Sequence, residues 1–141
     1  MGSTMAHGAR LGTAIMFVQD LARSVSFYRE VLALEVADRS PTAALLEGDG
    51  SQLILRSMGS GAVHALGGVG VQYVIWTAAD EADLDRCERA LKDLSAYRDS
   101  RVSGQVRLIE GRDPDDIVVM VLYPGPDRVP MHELPVRIYG W

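Results

Sequence analysis

The side chains of this sequence with chemistry beyond packing are three histidines, one cysteine and a scatter of carboxylates and tyrosines. A metal centre needs about three or four His or carboxylate donors at fixed places. His7, His64 and His132 share no ligand spacing and read as solvated loop residues. Cys87 recurs with Leu84, Leu91 and Leu94 at helical spacing, which makes it a core position rather than a nucleophile. No serine or cysteine sits beside a strand-borne histidine, so no triad can be assembled. Asp115-Asp116 follows Pro114 and reads as a turn. Glu47, Glu110 or a tyrosine could serve as a general acid or base, and nothing singles one out. The expectation is therefore no catalytic residue, no metal ligand and no cofactor.

The elements that would position a site come as an internal repeat. Residues Thr13–Gln19 read as a β-branched and apolar strand, Asp20 is suited to cap a helix, and Leu21, Val25, Tyr28 and Leu32 follow at helical spacing with Phe27 and Val31 beside them. Two or three short strands follow, at about Leu34–Arg39, Ala43–Glu47 and Gln52–Ser57, broken by Ser40-Pro41 and Gly48-Asp49-Gly50. The second half repeats the plan. A strand Val71–Thr77 leads to Asp80 as cap and to a helix over about Glu81–Leu94, acidic at its start and basic later, as the helix dipole favours. Segments Ala96–Ser100, Gln105–Glu110 and Ile117–Tyr123 complete it. The divisions expected are an arm over 1–11, a first module over 12–58, a glycine-rich linker over 59–70, a second module over 71–124 and a tail over 125–141, all in one structural domain.

Composition narrows the function classes. The chain has 141 residues, 48% hydrophobic and 23% charged, with a net charge of −5 and mixed signs. That suits a globular protein and not a nucleic-acid surface, which needs a basic patch. No apolar run reaches the roughly 20 residues of a membrane span. The first eleven residues lack the apolar core of a signal peptide, and one cysteine forms no internal disulfide, so the expected location is cytoplasmic.

Three motifs carry a resemblance: Val18-Gln-Asp-Leu-Ala-Arg-Ser-Val-Ser-Phe-Tyr-Arg-Glu-Val-Leu32, Gly68-Val-Gly-Val-Gln-Tyr-Val74, and Gly111-Arg-Asp-Pro-Asp-Asp116 before the last strand. The chain resembles the vicinal-oxygen-chelate superfamily, which includes glyoxalase I, extradiol dioxygenases and bleomycin-resistance proteins. The resemblance implies an α+β fold of paired βαβββ modules, whose curved mixed sheets carry helices on the convex side and functional residues on the concave side. It also implies a homodimer with ligand sites where the sheets of two chains meet. The family's four metal-binding positions fall on Thr13, on Ile54, on Gln72 or Tyr73 depending on the anchor used for counting, and on Met120. None supplies a carboxylate or an imidazole.

Strand alternation extends this to a lining. Thr13 brings Ile15 and Phe17; Ile54 brings Gln52 and Arg56; Gln72 brings Val74 and Trp76; Met120 brings Val118 and Leu122. A register one residue off puts Tyr73 in the cavity and Trp76 in the core. The expected ligand-binding residues are Thr13, Phe17, Gln52, Ile54, Arg56, Gln72, Trp76 and Met120, around a large, flat, mostly apolar ligand. The function expected is metal-free sequestration of a bulky aromatic or polyketide-like natural product, giving self-resistance. The alternative is an enzyme of the same fold, a lyase, isomerase or dioxygenase acting on a small molecule.

Overall fold

The computed structural model describes residues 8–59, 71–129 and 131. The first half holds strand β1 (Thr13–Val18), helix α1 (Leu21–Leu32), and strands β2 (Glu35–Arg39), β3 (Ala43–Gly48) and β4 (Ser51–Ser57). The second half holds β5 (Ile75–Thr77), α2 (Glu81–Asp93), β6 (Tyr97–Ser103), β7 (Val106–Arg112) and β8 (Val118–Tyr123). Each half is thus βαβββ, and the two four-stranded sheets have matching orders, β1-β4-β3-β2 and β5-β8-β7-β6. In both sheets the opening strand pairs in parallel with the closing one, and the other pairs are antiparallel. The architecture is α+β with mixed sheets, as the repeat and the resemblance implied.

The helices start where the aspartates dictate. The Asp20 carboxylate accepts the Arg23 N–H at 3.1 Å, and Asp80 accepts that of Asp83 at 2.7 Å. Each such cap contributes about 1 kcal/mol. The buried stripe of α1 is Leu21, Val25, Phe27, Tyr28 and Val31; that of α2 is Leu84, Cys87 and Leu91. Both stripes share one core with Leu46, Leu53, Leu55, Ile109, Val119 and Val121, so the helices lie against one face of each sheet. Polar links tie the halves together. Arg86 on α2 donates to the carbonyls of Glu30 at 2.8 Å and Val31 at 3.1 Å, which would otherwise end α1 without partners. The Tyr28 hydroxyl donates to the buried Asp113 carboxylate at 2.7 Å, while the other oxygen of Asp113 accepts the N–H groups of Asp115 and Ile117. The aspartate of the third motif is thereby a turn organiser and an inter-module tie. Its glycine is steric: a Cβ on Gly111 would lie 2.6 Å from Leu91 Cδ2 and 2.9 Å from the Ala96 carbonyl oxygen.

The expected strand over Val71–Thr77 forms only at Ile75–Thr77, because residues 71–74 leave the ladder and Tyr73 packs over the second sheet. The short segment expected over Ala96–Ser100 is a strand over Tyr97–Ser103, extended by its pairing with β7. Most of the glycine-rich linker and of the tail lies outside the described residues, as do all three histidines.

Candidate functional site

Because strand side chains alternate, each sheet has one face turned to the helices and one turned away. In the first sheet Ala14, Met16 and Val18 of β1 and Leu53 and Leu55 of β4 belong to the core or pack against it. The other face is set by a register in which Thr13 lies beside Gln52, Ile15 beside Ile54, and Phe17 beside Arg56. The next strand adds Glu47 beside Gln52, Leu45 beside Ile54 and Ala43 beside Arg56. Five expected residues, Thr13, Phe17, Gln52, Ile54 and Arg56, thus lie on one open face. Ile15 is 65% exposed there and Phe17 59%. An aliphatic and an aromatic side chain so exposed, over a β-sheet floor that includes Ile54 and Leu45, form a contiguous apolar surface.

Polar groups edge this surface. The Gln52 side-chain amide donates to Glu47 at 2.9 Å, and its oxygen accepts the Thr13 hydroxyl at 3.3 Å. That chain holds the amide in one orientation. On the outer strand Glu35 is the cross-strand partner of Glu47, and Asp38 is that of Leu45, so three carboxylates lie towards one edge. Like charges directly opposite on a sheet repel, which favours a positive group between them.

The second sheet differs. Ile75 pairs with Met120, Trp76 with Val121 and Thr77 with Leu122. Val121 belongs to the helix-side core, and Trp76 packs against that core. The register that would bring Trp76 to the open face with Met120 is therefore corrected: Trp76 faces the helices. The one-residue alternative holds, with Tyr73 packed on the cluster of Val106, Leu108, Val118, Met120 and Leu122. The two counting anchors differed by one residue, and a one-residue slip exchanges the faces of a strand. Gln72 stands half-buried before β5, outside the ladder. Met120 is on the face away from the helices but is fully buried, with Tyr73, Val129 and Met131 against its cluster. The expected set is thus divided. Five residues share the open face of the first sheet, while Met120 lies under cover on the second sheet.

Beside Met120 in the ladder is Glu110, 1% exposed, which the sequence offered only as one of several possible acids. Arg101 donates to it at 3.1 Å. A carboxylate so deeply buried is retained only when paired. Its place was hidden because it follows from the β7–β8 register, which no motif specifies. Leu45 and Glu47, by contrast, follow from the same alternation on β3 that located Ile54.

Burial raises the pKa of three groups away from the open face. Burial, more than the neighbouring carboxylate, raises the Tyr28 hydroxyl well above its usual range. Asp113 is raised chiefly by burial, against which the bonds from Tyr28, Ile117 and Asp115 act. Burial lifts the Cys87 thiol to about 11. All three lie in the core or at the inter-module tie, away from the open face.

The family's metal does not fit these residues. Thr13, Ile54, Tyr73 (or Gln72) and Met120 offer a hydroxyl, an alkyl group, a phenol (or an amide) and a thioether, not the imidazole and carboxylate donors a divalent ion takes. Among the described residues no group of three or more His, Cys, Asp or Glu is placed to hold an ion.

Fold and face together define a glyoxalase-type βαβββ protein with an open sheet surface. The family model of the Glyoxalase/Bleomycin resistance protein/Dioxygenase superfamily matches residues 10–121, and the chain belongs to that superfamily. Among solved structures it is similar to a glyoxylase/bleomycin resistance protein/dioxygenase domain from Frankia sp. EAN1pec, at 21% identity and TM-score 0.65 over 84% of this chain and 98% of that one. It is also similar to lactoylglutathione lyase from Agrobacterium tumefaciens, at 19% and 0.63 over 82% and 93%. A third is the fosfomycin resistance protein FosX from Mesorhizobium loti, at 18% and 0.64 over 88% and 98%. At these identities the likeness is one of fold. No curated protein is matched by sequence.

Proposed function

We propose that this protein binds and sequesters a bulky, planar, aromatic natural product, conferring resistance to it, in a crevice where the first sheet of one chain meets a second copy. The observation that carries the reading is the open face of the first sheet, where Ile15 and Phe17 stand largely exposed beside Ile54, Gln52, Thr13 and Arg56. A flat ring would stack on Phe17 and lie across Ile54. Gln52, held by Glu47 and Thr13, would orient a polar substituent, and the carboxylates of Glu35, Asp38 and Glu47 favour a ligand positively charged at that edge. A second copy covering the remaining apolar surface would contribute about 1–2 kcal/mol for each large side chain buried. The resistance and bleomycin-resistance names borne by FosX and the superfamily support the role. A cytoplasmic location accords with the unpaired, buried cysteine.

The test is calorimetric titration with a panel of planar aromatic antibiotics, cationic and neutral. Saturable binding by at least one, weakened about ten-fold or more by Phe17→Ala, is expected; one factor of ten corresponds to about 1.4 kcal/mol. Trp76 emission is expected to stay nearly constant, since that ring faces the helices. Absence of saturation across the panel removes the reading.

One observation favours a second reading, an enzyme of this fold: the buried Glu110 beside Met120, with Arg101 bonded to it. Such a carboxylate is a candidate general base in a closed site. The lyase name of the Agrobacterium relative is in keeping with it. A stoichiometric transition metal in the purified protein would overturn sequestration without metal.

A further inference from the structure

We propose that the seam between the two modules holds a second ligand site, for a small phosphoryl dianion, built on Arg23, Arg98 and Arg112. A cleft of about 450 Å3 opens there between the first turns of α1, the α2–β6 turn and the β7–β8 turn. It shares no residue with the open face of the first sheet.

Its charge is locally positive in a chain whose net charge is −5. Among the described residues no carboxylate lies within 4.0 Å of Arg23 or Arg98. Arg98 donates from one guanidinium nitrogen to the Tyr97 carbonyl. Arg112, 19% exposed, donates to the Asp116 carbonyl at 3.2 Å, and its other terminal nitrogen lies 4.0 Å from the buried Glu110 carboxylate.

The acidic groups at the cleft do not cancel this. Asp113 is committed to Tyr28 and to two backbone N–H groups. Asp116 is 81% exposed and approaches Arg112 only to 4.0 Å. The last carbonyls of α2 are also taken: Ala90 by Leu94, Lys92 by Ser95 and Leu91 by Ala96. Arg23 and Arg98, without a carboxylate partner among the described residues, and Arg112, shared between Asp116 and the buried Glu110 at 4.0 Å each, thus line one cleft from three elements.

Guanidinium forks match oxyanions, and a tetrahedral phosphoryl group offers acceptors towards three directions where a carboxylate offers two oxygens. The occupant would bridge α1 of the first module to β6 and β7 of the second, and so reinforce the tie already made by Tyr28 and Asp113.

The test is a titration of the full chain with inorganic phosphate, followed by calorimetry and by thermal denaturation, against sodium chloride at equal ionic strength. Saturable heat and a rise in Tm are expected with phosphate and not with chloride. The exposed pair Arg23→Ala/Arg98→Ala is expected to weaken binding at least ten-fold while leaving the circular dichroism of the fold unchanged. Should that double variant not fold, Arg98→Gln alone is expected to weaken binding several-fold. Phosphate acting no differently from chloride, or binding the folded variants as tightly as the parent, overturns the proposal. Succinate binding more tightly than phosphate overturns its phosphoryl assignment.

Discussion

At the residue scale burial explains what each reactive group does. Cys87 is 1% exposed, with its thiol raised to about 11. Against an ordinary thiol near 9 the thiolate fraction at about pH 8 falls roughly a hundred-fold. Cys87 is therefore expected to react with a disulfide reagent at least a hundred-fold more slowly in native protein than in urea; equal rates would show an open thiol. Tyr28 and Asp113 give a pH-dependent case. Burial raises Asp113, so between its unfolded and folded pKa the folded state holds more protons, and stability falls as pH rises through that window. The Tyr28 hydroxyl works against this by stabilising the carboxylate. Tyr28→Phe is expected to cost about 1–3 kcal/mol, and more at about pH 7 than at about pH 4, by urea denaturation at both. A cost independent of pH would mean that the tyrosine contributes packing alone. The sequence marked Cys87 as core from its spacing. It showed neither the Tyr28–Asp113 bond nor the burial of Glu110, because both depend on contacts between distant segments.

At the element scale the repeat was legible wherever local rules dominate. Asp20 and Asp80 cap their helices as their residue type requires, and the apolar spacing of α1 and α2 gives the buried faces. Alternation placed Thr13, Phe17, Gln52, Ile54 and Arg56 on one face because β1 and β4 are six and seven residues long and pair in a single register. It left β5 open because that strand has three residues, and its phase had to be carried across a segment outside the ladder. Tertiary packing then chose Tyr73 over Trp76 for the open side. The same scale explains Gly111. A methyl group there meets Leu91 and, less forgivingly, the Ala96 backbone. Gly111→Ala is expected to destabilise by about 1–3 kcal/mol. Its Tm would fall accordingly, and an unchanged Tm would show that β7 and the α2–β6 turn can separate at no cost.

At the scale of the whole molecule the two sheets differ in what covers their faces away from the helices. The second carries its apolar open-side cluster under Tyr73, Val129 and Met131, while the first leaves Ile15 and Phe17 exposed. An exposed apolar face of this kind marks an interaction surface. If a second copy covers it in part, Ile15→Glu is expected to shift the protein towards monomer in sedimentation experiments, with the fold retained. A parent protein already monomeric at high concentration would place the crevice within one chain. The most direct measurement is the calorimetric titration of purified protein with planar aromatic ligands, run beside Phe17→Ala and Trp76→Phe. Saturable binding lost about ten-fold or more in Phe17→Ala and kept in Trp76→Phe is the result this account requires. Binding that is absent, or that survives Phe17→Ala and disappears with Trp76→Phe, would contradict it.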